Sequence, residues 1–216
     1  MKIRFDPVLF DLDGTLVDSG RDIAAAVNHT LEDLGLVPLP QEEVLGYVGD
    51  GVRRLMERVL KKIERDDVDE QIKLFREHYR EHALDNTRPY PGLLGILRDL
   101  RPARVGVVTN KPCYFARLIL DGLSLSDYVG VLIGGDETEN MKPDPEPVLA
   151  ACKKLGLPPA AGIMIGDYHN DIQAGRAAGM STCGVLWGFV GSEPVITAQP
   201  DYLAGNADEL RKVLFE

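Results

Sequence analysis

The stretch Val8-Leu9-Phe10-Asp11-Leu12-Asp13-Gly14-Thr15-Leu16 is where the fold of this chain can first be read. Val8 to Phe10 is an apolar run with the character of a buried strand. It stops abruptly at two acids, a glycine and a threonine. In extended backbone, side chains two apart share a side, so the Asp11 and Asp13 carboxylates are expected to converge while Leu12 faces away. Two like charges held that close stay ionised together only if a cation joins them, and otherwise one keeps its proton. Either arrangement describes a reactive site. A strand end followed by a solvated turn would use the same residues, so the choice between the two readings falls to the rest of the chain.

Downstream the pattern becomes helical. Ile23, Val27, Leu31 and Leu34 form one apolar stripe. Val52, Leu55, Met56, Val59, Leu60 and Ile63 form a second, and Ile72, Phe75 and Tyr79 begin a third. Thr87-Arg88-Pro89-Tyr90-Pro91-Gly92 then breaks the periodicity. Beyond it, short runs of branched residues at 105–108, 129–133, 163–165 and 182–186 read as buried strands. Helical stretches near 93–100, 115–120, 145–155 and 171–178 separate them, and a last helix is expected over 208–214. Alternating strand and helix predicts an α/β fold, a Rossmann-like parallel sheet with helices on both faces. The economical division is a core domain of residues 1–16 and 88–216 with a helical cap, 17–87, inserted after the first strand. Such sheets bind ligands at strand carboxyl ends, so the cap is rooted beside the expected site.

Three further signals sit at carboxyl ends of expected strands. Val108 runs into Thr109-Asn110. Ile165 runs into Gly166-Asp167-Tyr168-His169-Asn170-Asp171. Ile133 is followed by Gly134-Gly135-Asp136 and then Lys142-Pro143-Asp144-Pro145. Individually these read as turns and solvated charges. Together they form a chemical inventory. Asp11, Asp13 and Asp167 offer hard oxygen ligands that suit Mg²⁺ and not zinc. Asp167 and Asp171, four apart, would stack on one face of a helix starting there. Thr109 adds a hydroxyl and Lys142 a positive charge. Gly14 and Gly166 allow close backbone approach, and Asp144 reads as an N-cap with Pro145 at the first helical position. A phosphate brings roughly two negative charges to a site already rich in carboxylates. Mg²⁺ and Lys142 would offset that repulsion, and an aspartate could then attack phosphorus.

Composition narrows the classes. The chain has 216 residues, 44% of them apolar, and 34 acids against 24 bases give a formal net charge of −10. No basic stripe exists for nucleic acid. Cys113, Cys152 and Cys183 have no paired spacing, which fits a reducing cytoplasm better than a disulfide framework. Met1 to Pro7 has no apolar signal segment, and no apolar run approaches the ~20 residues of a membrane span. The expected partner is a small phosphate ester, met by a monomer or homodimer. His78 and His82 are four apart on an expected helix, but without a third ligand they read as a solvated face.

The ordered set Asp11-Leu12-Asp13-Gly14-Thr15-Leu16, Thr109-Asn110, Lys142-Pro143 and Gly166-Asp167 with Asp171 resembles the haloacid dehalogenase superfamily, specifically its phosphoglycolate phosphatase-like branch. The resemblance spans essentially the whole chain. It implies that Asp11 is the nucleophile and Asp13 the acid/base, with the Asp13 backbone carbonyl on Mg²⁺. It implies that Thr109 and the backbone near Asn110 hold phosphoryl oxygens, and that Lys142 ties nucleophile to phosphate. Asp167 would ligate Mg²⁺, with Asp171 in the first or second coordination shell. Val48-Gly49-Asp50-Gly51-Val52-Arg53-Arg54-Leu55 resembles the cap loop that faces the site in phosphoglycolate phosphatases, and Asn110-Lys111-Pro112 resembles their form of the second motif. Tyr168-His169 departs from many relatives, which carry a serine after the aspartate.

The leading function is therefore a Mg²⁺-dependent phosphatase for a small metabolite, 2-phosphoglycolate first, through an aspartyl-phosphate. A phosphomutase like the β-phosphoglucomutases, a phosphatase for a sugar phosphate or pyrophosphate, and a non-catalytic binding protein are the alternatives. For substrate contacts the sequence offers Gly14, Asn110, Gly49 and Arg53. Arg53 is the candidate for a substrate carboxylate because its planar fork matches one, and Arg54 is the substitute if Arg53 points away.

Overall fold

The structure, a computed structural model, describes residues 2–216. Its elements run β1 (Val8–Phe10), β2 (Val17–Asp18), α1 (Gly20–Asp33), α2 (Gln41–Leu45), α3 (Gly51–Lys62), α4 (Val68–His82) and β3 (Arg88–Pro89). There follow α5 (Leu93–Asp99), β4 (Val105–Val108), α6 (Cys113–Gly122), β5 (Val131–Ile133), α7 (Glu146–Leu155), β6 (Ile163–Gly166) and α8 (His169–Ala177). The chain ends with β7 (Ser181–Val185), α9 (Glu193–Thr197), β8 (Tyr202–Ala204) and α10 (Ala207–Leu214).

Six strands form one parallel sheet in the order β5-β4-β1-β6-β7-β8. The first strand is central, with Val8 opposite both Val105 and Ile163. Such a strand must be apolar on both faces, which is why Val8, Leu9 and Phe10 are wholly buried. Leu9 packs with Val148 and Ala151 of α7 on one face; Val8 and Phe10 join the larger cluster on the other. The chain leaves β1 toward β4 and β5, then crosses back to β6 on the opposite side. That reversal opens a crevice at the carboxyl ends of β1 and β6, where Asp11 and Asp167 sit.

Residues 20–82 supply α1 to α4, and their buried faces are the three stripes: Ile23, Val27 and Leu31; Leu55, Met56, Val59 and Leu60; Ile72, Phe75 and Tyr79. The two passages into and out of this helical segment pair as an antiparallel ribbon, Val17 with Pro89 and Asp18 with Arg88. Asp22, buried at the start of α1, accepts hydrogen bonds from backbone and side chain of both Asn86 and Thr87. Burial works against its ionisation, but these bonds outweigh it and hold the carboxyl below its usual range.

Several expected boundaries move. A 3₁₀ turn at Ser126–Tyr128 delays β5 to Val131. The helix expected from Asp171 begins at His169, and the one expected from Pro145 begins at Glu146. Asp144 still caps that end, its Oδ1 accepting from the Glu146 amide at 2.8 Å. The short elements α2, β2, β3 and α9 had no strong sequence signal, and neither did β8, a three-residue edge strand only partly buried. No helix among the described residues is long and apolar enough to cross a membrane.

Candidate active site

Asp11 follows β1 directly, and its amide still pairs with the Ile165 carbonyl at 2.9 Å. The strand then ends, and residues 12–16 form a tight turn closed by Leu16 and Val17 amides on the Leu12 carbonyl. Gly14 lies at φ 83°, and a Cβ there would meet Asp167 Oδ2 at 2.4 Å. The turn therefore needs glycine both for its left-handed backbone and for its contact with the opposing carboxylate. Gly166 likewise leaves room for the Asp171 carboxyl, not for a ligand. Thr15 donates its hydroxyl to Asp167 Oδ1 at 2.8 Å, and Trp187 Nε1 donates to the Thr15 carbonyl at 3.1 Å.

Lys142 is the hub. Its ammonium reaches Asp11 Oδ1 at 2.8 Å, Asp171 Oδ1 at 2.6 Å and the Val108 carbonyl at 2.5 Å. Three protons meet three acceptors, and the side chain is buried. Burial alone would strip a proton from Lys142, but Asp11 and Asp171 hold its pKa above the usual lysine value. Burial pushes Asp11 up to about 6, with Lys142 opposing. Burial, then the neighbouring Asp11 and Asp171 charges, push Asp167 well above the ordinary carboxylate range.

Oxygens of Asp11, Asp167 and Asp171 lie within 4.8 Å of one another. These three carboxylates make a hard donor set, and among the described residues neither histidine nor cysteine lines the pocket. The set suits Mg²⁺ on its chemistry. It differs from the expected convergence. The extended backbone ends at Phe10, so the i, i+2 rule does not reach Asp13, whose carboxylate turns to Lys111 Nζ at 2.9 and 3.1 Å and to Ser19 Oγ at 2.5 Å. The third carboxylate is Asp171. It does not stack with Asp167 along a helix, because Asp167 precedes α8; instead Asp171 sits in the first turn and accepts from the Tyr168 amide at 3.1 Å.

The remaining expected residues divide. Thr109 is buried at the end of β4 and lines the pocket, its hydroxyl accepting from the Lys111 amide at 3.2 Å. Asn110 also lines it, but its side chain is engaged in holding loops: Nδ2 donates to the Gly49 and Lys142 carbonyls, and Oδ1 accepts from the Lys142 amide. Gly49, at φ 124°, brings the loop before α3 against Tyr168, where a Cβ would lie 3.2 Å from the ring. Asn170 reinforces this junction through Asp50 Oδ1 at 2.8 Å.

Arg53 is not at the pocket. It is exposed and pairs with Asp69 across α3 and α4. The apolar stripe explains why: Val52 and Leu55 face the cavity, which turns the intervening Arg53 about 100° away. Arg54 is also exposed and pairs with Glu57. His78 and His82 bind Asp33 and Asp85. The residue the sequence undervalued is Lys111, whose neighbour Asn110 draws attention in the same motif. It is buried against Asp13, with its ammonium 4.5 Å from the centre of the Tyr79 ring.

Residues 8–185 match the family model of haloacid dehalogenase-like hydrolases, and the chain belongs to that family. Within it, the chain is similar to phosphoric monoester hydrolases of the phosphoglycolate phosphatase type. It is 40% identical over 209 residues to the phosphoglycolate phosphatase of Aquifex aeolicus, covering 96% of this chain and 95% of that one. The Escherichia coli K12 phosphoglycolate phosphatase is 36% identical, with 96% and 91% covered. Among solved structures, a predicted phosphoglycolate phosphatase from Haemophilus somnus 129PT superposes with a TM-score of 0.87 at 29% identity, covering 99% of each chain.

Proposed function

We propose that this protein is a Mg²⁺-dependent phosphatase that hydrolyses 2-phosphoglycolate through a phosphoryl group carried on Asp11. The observation that carries the reading is the buried cluster of Asp11, Asp167, Asp171 and Lys142 at the reversal point of the sheet. Relatives that bear the phosphoglycolate phosphatase name, matched over 95% and 91% of their own length, support the substrate. Asp11, Asp167, Asp171 and the Asp13 backbone carbonyl would hold the metal, which would supply positive charge against the phosphate.

The chain's own groups do the rest. A carboxylate oxygen of Asp11 attacks phosphorus as the bond to the leaving oxygen breaks. Lys142, fixed on Asp11, keeps that oxygen oriented and offsets charge on the phosphoryl group. Thr109 offers a hydroxyl to a phosphoryl oxygen. Asp13 gives its proton to the departing alkoxide, then takes one from the water that attacks the phosphorylated Asp11. Residues 17–87 act as a cap whose loop at Gly49 covers the pocket and excludes bulk water. Three free cysteines suit a reducing cytoplasm, and the chain works as a monomer or homodimer.

The test is phosphate release from a panel of 2-phosphoglycolate, sugar phosphates, nucleotides and pyrophosphate, with Mg²⁺ and with chelator. Highest kcat/KM on 2-phosphoglycolate, abolished by chelator, is expected. Full activity with chelator, or isomerised sugar phosphate in place of free phosphate, contradicts it.

A further inference from the structure

We infer that Lys111 and the Tyr79 hydroxyl form the subsite for a carboxylate on the substrate's leaving group, clamped between core and cap. The inference rests on the phosphatase reading above and names the groups that would choose its substrate.

Three observations carry it. The first is an inventory of positive charge. Lys111 and Lys142 are the only cationic side chains among the described residues lining the pocket, and Lys142 already has three acceptors. Arg53, Arg54 and Arg58 of helix α3 are all exposed and paired with Asp69, Glu57 and Asp50. A substrate carboxylate entering this pocket has Lys111 to meet and no other cation.

The second is position. Lys111 donates to both oxygens of Asp13, the group assigned to protonate the leaving oxygen. In phosphoglycolate the carboxyl carbon is two covalent bonds from that oxygen. A cation touching the proton donor is therefore within reach of the carboxylate when the ester is seated for attack by Asp11. The third is an unspent donor. Tyr79, from α4, is 1% exposed and lines the pocket, yet its hydroxyl has no hydrogen-bond partner. A buried hydroxyl without a partner is unfavourable, and an arriving carboxylate would relieve it. Lys111 comes from the core and Tyr79 from the cap, so such a carboxylate would hold the two together. The walls around them are apolar, with Leu55, Phe75 and Phe115. They would strengthen a charged hydrogen bond by excluding water.

The experiment compares two esters with similar alkoxide leaving groups: 2-phosphoglycolate, and 2-hydroxyethyl phosphate, which has a hydroxymethyl group in place of the carboxylate. The wild-type ratio of kcat/KM is expected to favour 2-phosphoglycolate. Lys111→Met should lower that ratio about 10–100-fold, the range for a charged hydrogen bond. Lys111→Arg should recover part of it. Tyr79→Phe, which keeps the packed ring, should lower the ratio about 3–10-fold, mainly through KM for 2-phosphoglycolate. Thermal melts confirm that each variant is folded. If Lys111 only positions Asp13, Lys111→Met will depress both esters equally and Tyr79→Phe will leave the ratio unchanged; that result overturns the inference while the phosphatase reading stands. A wild-type enzyme that hydrolyses neither ester overturns the reading itself.

Discussion

At the carboxyl ends of the sheet's strands, Lys142 is 2% exposed and meets three acceptors from three separate parts of the chain; on helix α3, Arg53 is 57% exposed and meets one carboxylate on the neighbouring helix. Both are cations near one pocket, and the difference separates two physical regimes. A charge taken out of water must be paired and fully hydrogen-bonded, so its position is fixed by everything around it. A charge at the surface gains little from its partner and can be exchanged freely. The residues proposed to carry the chemistry belong to the first regime. The helical segment meets the sheet's loops through the Gly49 carbonyl, through the Asp50 carboxylate on Asn170 and through apolar side chains, and Arg53 takes no part in that junction.

Substitution at the hub should have the largest consequence. Lys142→Met leaves Asp11, Asp167 and Asp171 without their fixed counter-charge. Removing one partner of a buried pair costs about 3–5 kcal/mol. Urea unfolding should show that loss, and kcat should fall by about 10³-fold or more through lost transition-state stabilisation. A variant with near-parental stability and turnover would remove the distinction between the two regimes.

Asp13→Asn comes next. It keeps the turn and the backbone carbonyl but loses proton transfer, worth about 10²–10⁴-fold. Alkyl phosphates should suffer far more than aryl phosphates, whose leaving groups need little protonation. Equal losses on both would argue that Asp13 is not the leaving-group acid.

A smaller effect concerns pH and metal. The folded state holds a proton on Asp11 up to about pH 6, whereas the unfolded chain releases it near the ordinary value of 3.8. The native state binds more protons in that window, so stability of the metal-free protein should fall as pH rises through it. Above it the ionised cluster most needs a cation. Added Mg²⁺ should therefore raise the melting temperature by several degrees at about pH 7.5 and by much less at about pH 5. A shift of the same size at both values would contradict a carboxylate metal site.

Arg53→Ala should do least. An exposed pair of this kind contributes little, because solvent screens it, and kcat/KM for 2-phosphoglycolate should stay within about twofold of the parent. A selective loss on that substrate would restore Arg53 to the role its sequence suggested and would weaken the assignment to Lys111.

The same contrast explains what was legible in the sequence. The sheet was legible because β1, β4 and β6 are short, wholly apolar runs whose burial on both faces is a local property. The strand-end acids stood out because charges rarely follow such runs. Lys111 was legible only as a member of Asn110-Lys111-Pro112; its contacts were not, because its partner Asp13 lies 98 residues away and its ring partner Tyr79 is in the helical segment α1–α4. Arg53 was misjudged although the signal was present. The phase of Val52, Leu55, Met56 and Val59 already turns position 53 away from the apolar face. Asp13 was placed with Asp11 by strand alternation, but the backbone leaves the strand at Phe10, and a tight turn re-aims the side chain. The short edge strand β8 and helix α9 escaped because neither has a long buried stripe.

The most direct measurement is acid quench during turnover of 2-phosphoglycolate with Mg²⁺, followed by mass spectrometry of the peptide spanning Asp11. The account predicts phosphate on Asp11 in the wild-type enzyme, and neither phosphopeptide nor turnover in Asp11→Asn or with chelator. Phosphate on a different residue, or Asp11→Asn turning over within a few-fold of the parent, would contradict it.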